Sequence, residues 1–196
     1  MFSFSNLFKK RSNQKSNIDN KVKGYSAFEA GKKYFLNNQF SEAIEQFDKA
    51  IENDFLDETF SLRGLCLQGL DFDFDAIEDF TKAISRSPKD CNLYFVRSLS
   101  KSAVRDFDGS VADLKSAIYL SKENCELNRA YDDEAKKMGH RYGVTSMYEM
   151  RLSRVEMDLK FEIEENERYL KSSPEMKADI QEFRKRRTKV IRKWKE

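Results

Sequence analysis

The chain has 196 residues, with 36 basic and 34 acidic side chains and therefore a formal net charge of only +2. It has one histidine, His140, and three cysteines, and Cys66, Cys91 and Cys125 form no C-x-x-C pair. This pattern argues against a disulfide framework and against a zinc site, and it predicts a reducing, cytoplasmic location. We expect neither a membrane span nor a secretion signal, because no apolar run reaches the necessary length.

The N-terminal segment, residues 1–23, is rich in basic and polar side chains and predicts a disordered tail. An alternative is a short membrane-surface anchor, in which apolar side chains enter the interface and the basic triplet 9–11 meets anionic lipid. A peripheral membrane contact is therefore left open. The apolar side chains of this alternative are Phe2, Phe4, Leu7 and Phe8.

After this segment, one pattern of apolar and small side chains recurs three times with the spacing of a helical face. Its clearest copy runs from Phe74 to Pro88, where the proline ends the helix. The copies align on Ala43, Ala76 and Ser110, which lie 33 and 34 residues apart. A fixed period of this size indicates a repeat array.

A further helix with a small residue precedes each copy, at about 25–37, 58–69 and 92–104. Small residues let two antiparallel helices approach closely, and a second set lets the next repeat dock. The first set is Gly31, Gly64 and Ser98, and the second set is Ala50, Ala83 and Ala117.

The recurring pattern resembles the tetratricopeptide repeat, which has a period of about 34 residues. The resemblance covers residues 24–124 and implies an all-α fold, a right-handed superhelical solenoid of three helix-turn-helix units. The units are expected at about 24–56, 57–90 and 91–124. The matching positions are Gly31, Tyr34, Ala43, Phe47 and Ala50, then Phe60, Gly64, Leu67, Ala76, Phe80, Ala83 and Pro88, then Tyr94, Ser98, Ser110, Leu114 and Ala117.

The run from Asp71 to Asp75 has alternate carboxylates, as at the start of an EF-hand calcium loop. That loop needs glycine at its sixth place and glutamate at its twelfth, and Ala76 and Lys82 stand there instead. We therefore interpret the run as the polar turn between the two helices of the second repeat. We expect no metal ion and no cofactor.

Residues 125–145 predict the capping helix and loop that the end of a solenoid requires. The helix is expected from Glu126 to Met138, and Gly139 is expected to end it.

A charged helical extension is predicted for residues 146–196. Within it, Val155–Ile163 alternates as a strand would, although its length and its helical neighbourhood favour a helix. A serine followed by proline and an acidic residue, in Ser172–Glu175, predicts the start of the last helix.

The sequence shows no catalytic constellation, such as a phosphate-binding glycine loop or a nucleophile elbow, so we expect a non-catalytic protein. The resemblance implies that the first helix of each repeat lines a concave groove that binds a partner segment. Because most groove positions are apolar, an amphipathic helix or an apolar peptide is the expected ligand. The groove candidates are Tyr25, Phe28, Glu29, Lys32, Leu62, Leu65, Gln68, Asn92, Phe95, Val96 and Leu99.

The sequence argues against one class of groove ligand and leaves one alternative occupant open. Chaperone-binding arrays of the family hold a peptide carboxylate with a lysine and asparagine clamp. The matching positions here are Phe28, Lys32, Leu62, Asn92 and Val96, so an acidic chaperone tail is not expected. The protein could also fill its own groove with the C-terminal helix or the N-terminal phenylalanine cluster.

The last predicted helix is strongly basic, and a charged amphipathic helix that packs on the array is the favoured interpretation. The alternative function is an adaptor that binds an anionic surface, membrane or nucleic acid, through its basic ends. Nucleic acid is the less expected of these, since few aromatic side chains interleave with the charges. The candidate contacts are Arg184, Lys185, Arg187, Lys189, Arg192 and Lys193.

Overall fold

A computed structural model of the chain describes residues 4–56, 58–123, 126–139 and 142–188. All regular structure in these ranges is helical, which confirms the expected all-α class. The helices are α1 (Phe4–Leu36), α2 (Phe40–Glu52), α3 (Thr59–Gly69), α4 (Asp73–Arg86), α5 (Cys91–Ala103), α6 (Phe107–Lys122), α7 (Glu126–Lys137), α8 (Gly143–Lys171) and α9 (Pro174–Thr188).

The chain divides into two compact units, Met1–Leu70 and Asp71–Glu196. Unit 1 contains α1 to α3, and unit 2 contains α4 to α9. The division falls inside the second predicted repeat, 57–90, whose two helices belong to different units.

The prediction of a disordered tail is wrong for residues 4–23. Helix α1 extends back to Phe4 and spans 33 residues. Residues 4–23 contain neither glycine nor proline. Once the packed part of α1 has formed, each preceding residue only propagates an existing helix, and propagation is far easier than nucleation. Residues 19–23 are exposed, so this part of α1 is not held by packing.

Close approach of α1 and α2 forms the core of unit 1. A Cβ atom at Gly31 would lie only 2.6 Å from the Phe47 ring, so only glycine allows this separation of the helices. Ala43, Phe47 and Ala50 are fully buried, as the repeat pattern predicts. An ion pair between Arg63 of α3 and Asp48 of α2 joins the third helix to the second.

Serine takes the place of glycine and alanine where α5 and α6 cross in unit 2. Ser98 and Ser110 are fully buried, and the Ser110 hydroxyl donates to the Ser98 carbonyl oxygen at 2.8 Å. The Ser98 hydroxyl donates to the Phe95 carbonyl oxygen at 2.6 Å, so each buried hydroxyl has a partner, as burial of a polar group requires. Beside this crossing, Arg97 donates twice to the Asp113 carboxylate, at 2.7 and 2.8 Å, and Lys101 lies 2.9 Å from the same group.

Helix α8 runs antiparallel to α6 along most of its length. Two ion pairs join α6 to α8 and a third joins Arg105, just before α6, to α8; their order along the chain runs in opposite directions. Val155 lies between the two helices, buried with Phe107 and Leu114. The segment Val155–Ile163 is therefore helical, as favoured from the sequence. The pairs are Lys122–Glu149 at 3.1 Å, Lys115–Glu156 at 3.9 Å and Arg105–Glu162 at 3.2 Å.

The predicted helix ends near the C-terminus agree with the structure. Gly139 has a φ of +94°, the left-handed conformation that ends a helix, and it lies two residues after the end of α7. The Ser173 hydroxyl accepts from the Met176 amide at 3.3 Å and so caps α9. An unpredicted cap comes from Asp132 of α7, whose carboxylate accepts from the Val144 amide in the first turn of α8 at 3.0 Å.

Candidate partner-binding surface

In unit 1, the predicted groove residues of α1 are partly core and partly surface. Tyr25 is 54% exposed, and Glu29 and Lys32 form an exposed ion pair at 3.5 Å. The Tyr25 ring meets Phe55 edge-on at a centroid distance of 5.7 Å, which restricts its position. These three side chains of α1 are accessible to a partner.

Phe28 lies on α1 between these residues but is only 4% exposed. Its ring packs 5.0 Å from the Phe55 ring and 6.1 Å from the Phe47 ring. The prediction that Phe28 lines a binding groove is therefore wrong, because two aromatic neighbours of its own unit bury it. The Lys32 ammonium lies over the Phe28 ring at 5.3 Å, at the boundary between core and surface.

The predicted residues of α3 are half-buried, so each presents part of its side chain to solvent. They are Leu62, Leu65 and Gln68.

In unit 2, the predicted residues of α5 are less available. Val96 is buried, so its assignment to a binding surface is also wrong, and Asn92 and Leu99 are half-buried. Phe95 stacks on Tyr148 of α8 with ring centroids 4.6 Å apart. A helix from later in the chain therefore covers Phe95. Filling of the whole groove by the protein itself stays a prediction.

Tyr148, which sequence reasoning missed, is the largest fully buried side chain in the described part of the chain. Its hydroxyl oxygen lies 3.7 Å from the Cys91 sulfur, and burial raises the pKa of the Tyr148 phenol. Its burial could have been suspected from Val144, Tyr148 and Val155, whose separations of four and seven residues mark one helical face.

The cysteines are core residues wherever the structure describes them. Cys66 and Cys91 are fully buried, and burial raises the pKa of the Cys66 thiol to about 12. A thiol with such a pKa is protonated at neutral pH and is a poor nucleophile. Cys125 and His140 lie outside the described residues.

Helix α7 packs against the start of α5. The Tyr131 hydroxyl donates to the Asp90 carboxylate at 3.1 Å, and Ala135 joins the buried cluster that contains Cys91 and Tyr148. Asp90 also caps α5 by accepting from the Asn92 amide at 2.9 Å. Helices α7 and α8 thus pack on the last repeat, α5 and α6, and cover it in unit 2.

The structure describes only part of the last helix, and the side chains of its basic candidates are not included. Arg184, Lys185 and Arg187 belong to α9, but their side chains are not described, and Lys189, Arg192 and Lys193 lie outside the described residues. Their predicted contacts with an anionic partner stay predictions.

Within the described residues, no group of three or more His, Cys, Asp or Glu side chains is arranged to hold a metal ion. Of the acidic run, Asp71 lies in the turn after α3, whereas Asp73 and Asp75 already belong to the first turn of α4. None of the described helices combines the length and the apolar character that a membrane crossing needs.

Neither a protein-family model nor a curated protein matches the sequence. Solved structures do match. The TPR domain of Arabidopsis OM64 has 18% identity and a TM-score of 0.50, over 61% of this chain and 98% of that domain.

Two complexes of yeast Sti1 are also similar. The TPR2B domain with pHsp70 has 19% identity and a TM-score of 0.56, over 70% of this chain and 98% of that one. The TPR2AB domain with pHSP90 has 22% identity and a TM-score of 0.53, over 68% of this chain and 51% of that one. Identities this low establish the fold alone, and the helix pairs, the period and the buried small residues agree with it. This chain has the tetratricopeptide-repeat fold.

Proposed function

We propose that this protein is a non-catalytic adaptor that binds a segment of a partner polypeptide on the first helices of its repeats. The observation that carries the proposal is the exposed surface of α1, where Tyr25 stands beside the ion pair of Glu29 and Lys32. The peptide complexes of the similar yeast Sti1 domains support a polypeptide as the ligand.

The chemistry of this surface suits a peptide with an apolar anchor and a nearby charge. An exposed tyrosine gives a large contact area for little loss of side-chain entropy, and tyrosine is enriched at interaction hot spots. The edge-on contact with Phe55 already holds the Tyr25 ring, so less freedom is lost on binding. Lys32 and Glu29 offer one donor and one acceptor group for polar contacts around the ring.

An acidic chaperone tail is not the proposed ligand. Such a tail needs several unpaired cations and amides around its carboxylates, whereas two of the five corresponding positions, Phe28 and Val96, are buried apolar side chains.

The test starts with the full chain and a displayed library of random peptides. Enriched peptides are then measured by titration calorimetry against the wild type, Tyr25→Ala and Lys32→Ala. We expect Tyr25→Ala to weaken binding about tenfold or more, as loss of a central aromatic anchor does. The matched control is Tyr119→Ala, which removes another exposed tyrosine, from α6, a second helix of a repeat.

Two results would reject the proposal. One is a library that yields no binder to the folded chain, and the other is a set of binders that Tyr25→Ala and Lys32→Ala leave equally tight. Binders that are all acidic and are lost at moderate salt would point instead to the basic ends of the chain.

A further inference from the structure

Helix α8 has a line of large apolar side chains on the side that faces away from the core. Met150, Met157 and Phe161 are 72%, 66% and 60% exposed. Separations of seven and four residues place them one above another on the helix, roughly opposite the buried Tyr148 and Val155. We call this line the outer stripe. The same line also contains Arg154, Glu164 and Arg168, all of them exposed.

The outer stripe is held on a rigid element. Helix α8 has 29 residues, and ion pairs and the buried Val155 fix it along α6. From Met150 to Arg168 the stripe is about 27 Å long, at 1.5 Å per residue. Aligned exposed apolar side chains on a fixed helix are typical of an interaction surface, whereas single exposed ones are ordinary.

The order of charges along the stripe fits a second copy of α8 that lies antiparallel to the first. If a second α8 lies antiparallel with its centre at residue 159, Met157 meets Phe161 of the second copy, and Arg154 meets Glu164. Each contact forms twice because the arrangement has two-fold symmetry. A parallel arrangement would instead place Arg154 against Arg154 and Glu164 against Glu164, which is repulsive.

The side chains that flank the stripe contribute little to the energy of this arrangement. Lys160 on one side and Asp158 on the other would each approach its own counterpart near the symmetry axis. Both are exposed, so solvent and salt screen these like-charge contacts. The two Arg154–Glu164 contacts therefore set the direction of pairing.

We propose that two copies of this chain associate through the outer stripe, with α8 packed antiparallel against α8. Six side chains per copy give an interface near the lower limit for specific association, about 1,200 Å² in total. We therefore expect a reversible dimer with a dissociation constant on the order of micromolar. None of the residues of the outer stripe is among those assigned to peptide binding.

Sedimentation equilibrium of the full chain, from about 1 to several hundred micromolar, tests the proposal. The wild type is expected to shift from monomer to dimer, and Met157→Glu/Phe161→Glu is expected to stay monomeric throughout. The matched control is Ile163→Glu/Leu170→Glu, which adds the same charges at exposed positions on the other side of α8 and should leave the dimer intact. Circular dichroism establishes that both variants are folded.

A charge exchange tests the antiparallel register. Arg154→Glu alone and Glu164→Arg alone should each weaken the dimer about tenfold, because each creates two like-charge contacts. The combined variant Arg154→Glu/Glu164→Arg restores opposite charges and should recover most of the affinity. Glu164→Arg also removes the pair with Arg168 at 3.6 Å, so recovery is expected to fall short of the wild type.

The proposal is overturned if the wild type is a monomer at every concentration, because the stripe would then serve another ligand or none. It is equally overturned if Met157→Glu/Phe161→Glu dimerises as well as the wild type. Failure of the combined charge variant to exceed both single variants would overturn the antiparallel pairing.

Discussion

Phe28 in unit 1 and Phe95 in unit 2 occupy the same place in the repeat, three residues before Gly31 and Ser98 respectively. Phe28 is covered by Phe55, from the connection that follows α2, whereas Phe95 is covered by Tyr148 of α8. One repeat position therefore holds an aromatic ring packed against the core in both units, buried in unit 1 and half-buried in unit 2, and a different part of the chain covers it in each. The repeat register fixes where the ring stands, and non-repeated segments decide what covers it.

The largest effect is expected from removing the cover of Phe95. Tyr148→Ala should lower the free energy of unfolding by about 3–5 kcal/mol, because it empties a fully buried aromatic site and removes the stacking partner. Urea unfolding of the full chain measures the change. Tyr119→Ala, at an exposed position of α6, should change it by less than about 0.5 kcal/mol. A small effect of Tyr148→Ala would mean that α8 does not stabilise unit 2.

The corresponding change in unit 1 should cost less. Phe55→Ala removes the ring that covers Phe28 and orders Tyr25, but Phe55 is itself half-buried. We expect a loss of about 2 kcal/mol, below the range for a fully buried ring. Urea unfolding again measures the change in the free energy of unfolding. The difference between Phe55→Ala and Tyr148→Ala shows how unequally the two units depend on the rings that cover Phe28 and Phe95. Equal losses would contradict the comparison.

Much of the repeat fold can be predicted from the sequence, because its helices repeat the same local pattern. The burial of Ala43, Phe47 and Ala50 follows from helical spacing, and so does the helical state of Val155–Ile163. The start of α9 at Pro174 follows from capping chemistry, which involves only neighbours in the chain.

The surface could be predicted only in part. Helical spacing gave the side of α1 and of α5 on which Phe28 and Phe95 stand, but burial also depends on residues far along the chain. Nothing in the local pattern around Phe95 records that Tyr148 stacks on it. The helix over residues 4–23 was missed for the opposite reason, since its polar composition gives no packing signal and it continues a helix that starts in the packed part of α1.

The smallest effect is expected at the contact that holds α8 in place, between Asp132 and the Val144 amide. Asp132→Ala removes the acceptor that caps α8 and should cost about 1 kcal/mol at pH 7. Asp132→Asn keeps an oxygen acceptor and removes only the charge, so it should cost less. Urea unfolding of the three proteins separates the two contributions.

The contact between Asp132 and the Val144 amide also makes the free energy of unfolding depend on pH, and the direction of this dependence can be predicted. The hydrogen bond from Lys136, with the Val144 amide in addition, lowers the pKa of the Asp132 carboxyl. The folded state therefore favours the ionised carboxylate. Its contribution is complete above the ordinary aspartate pKa of about 3.9 and is lost as the pH falls through the lower folded-state value. Because Lys136 is exposed, solvent screens part of its interaction with Asp132, and the pH-dependent change in stability is expected to be small. The difference between wild type and Asp132→Asn should thus shrink from pH 7 to pH 3, and a difference that grows on acidification would contradict this assignment.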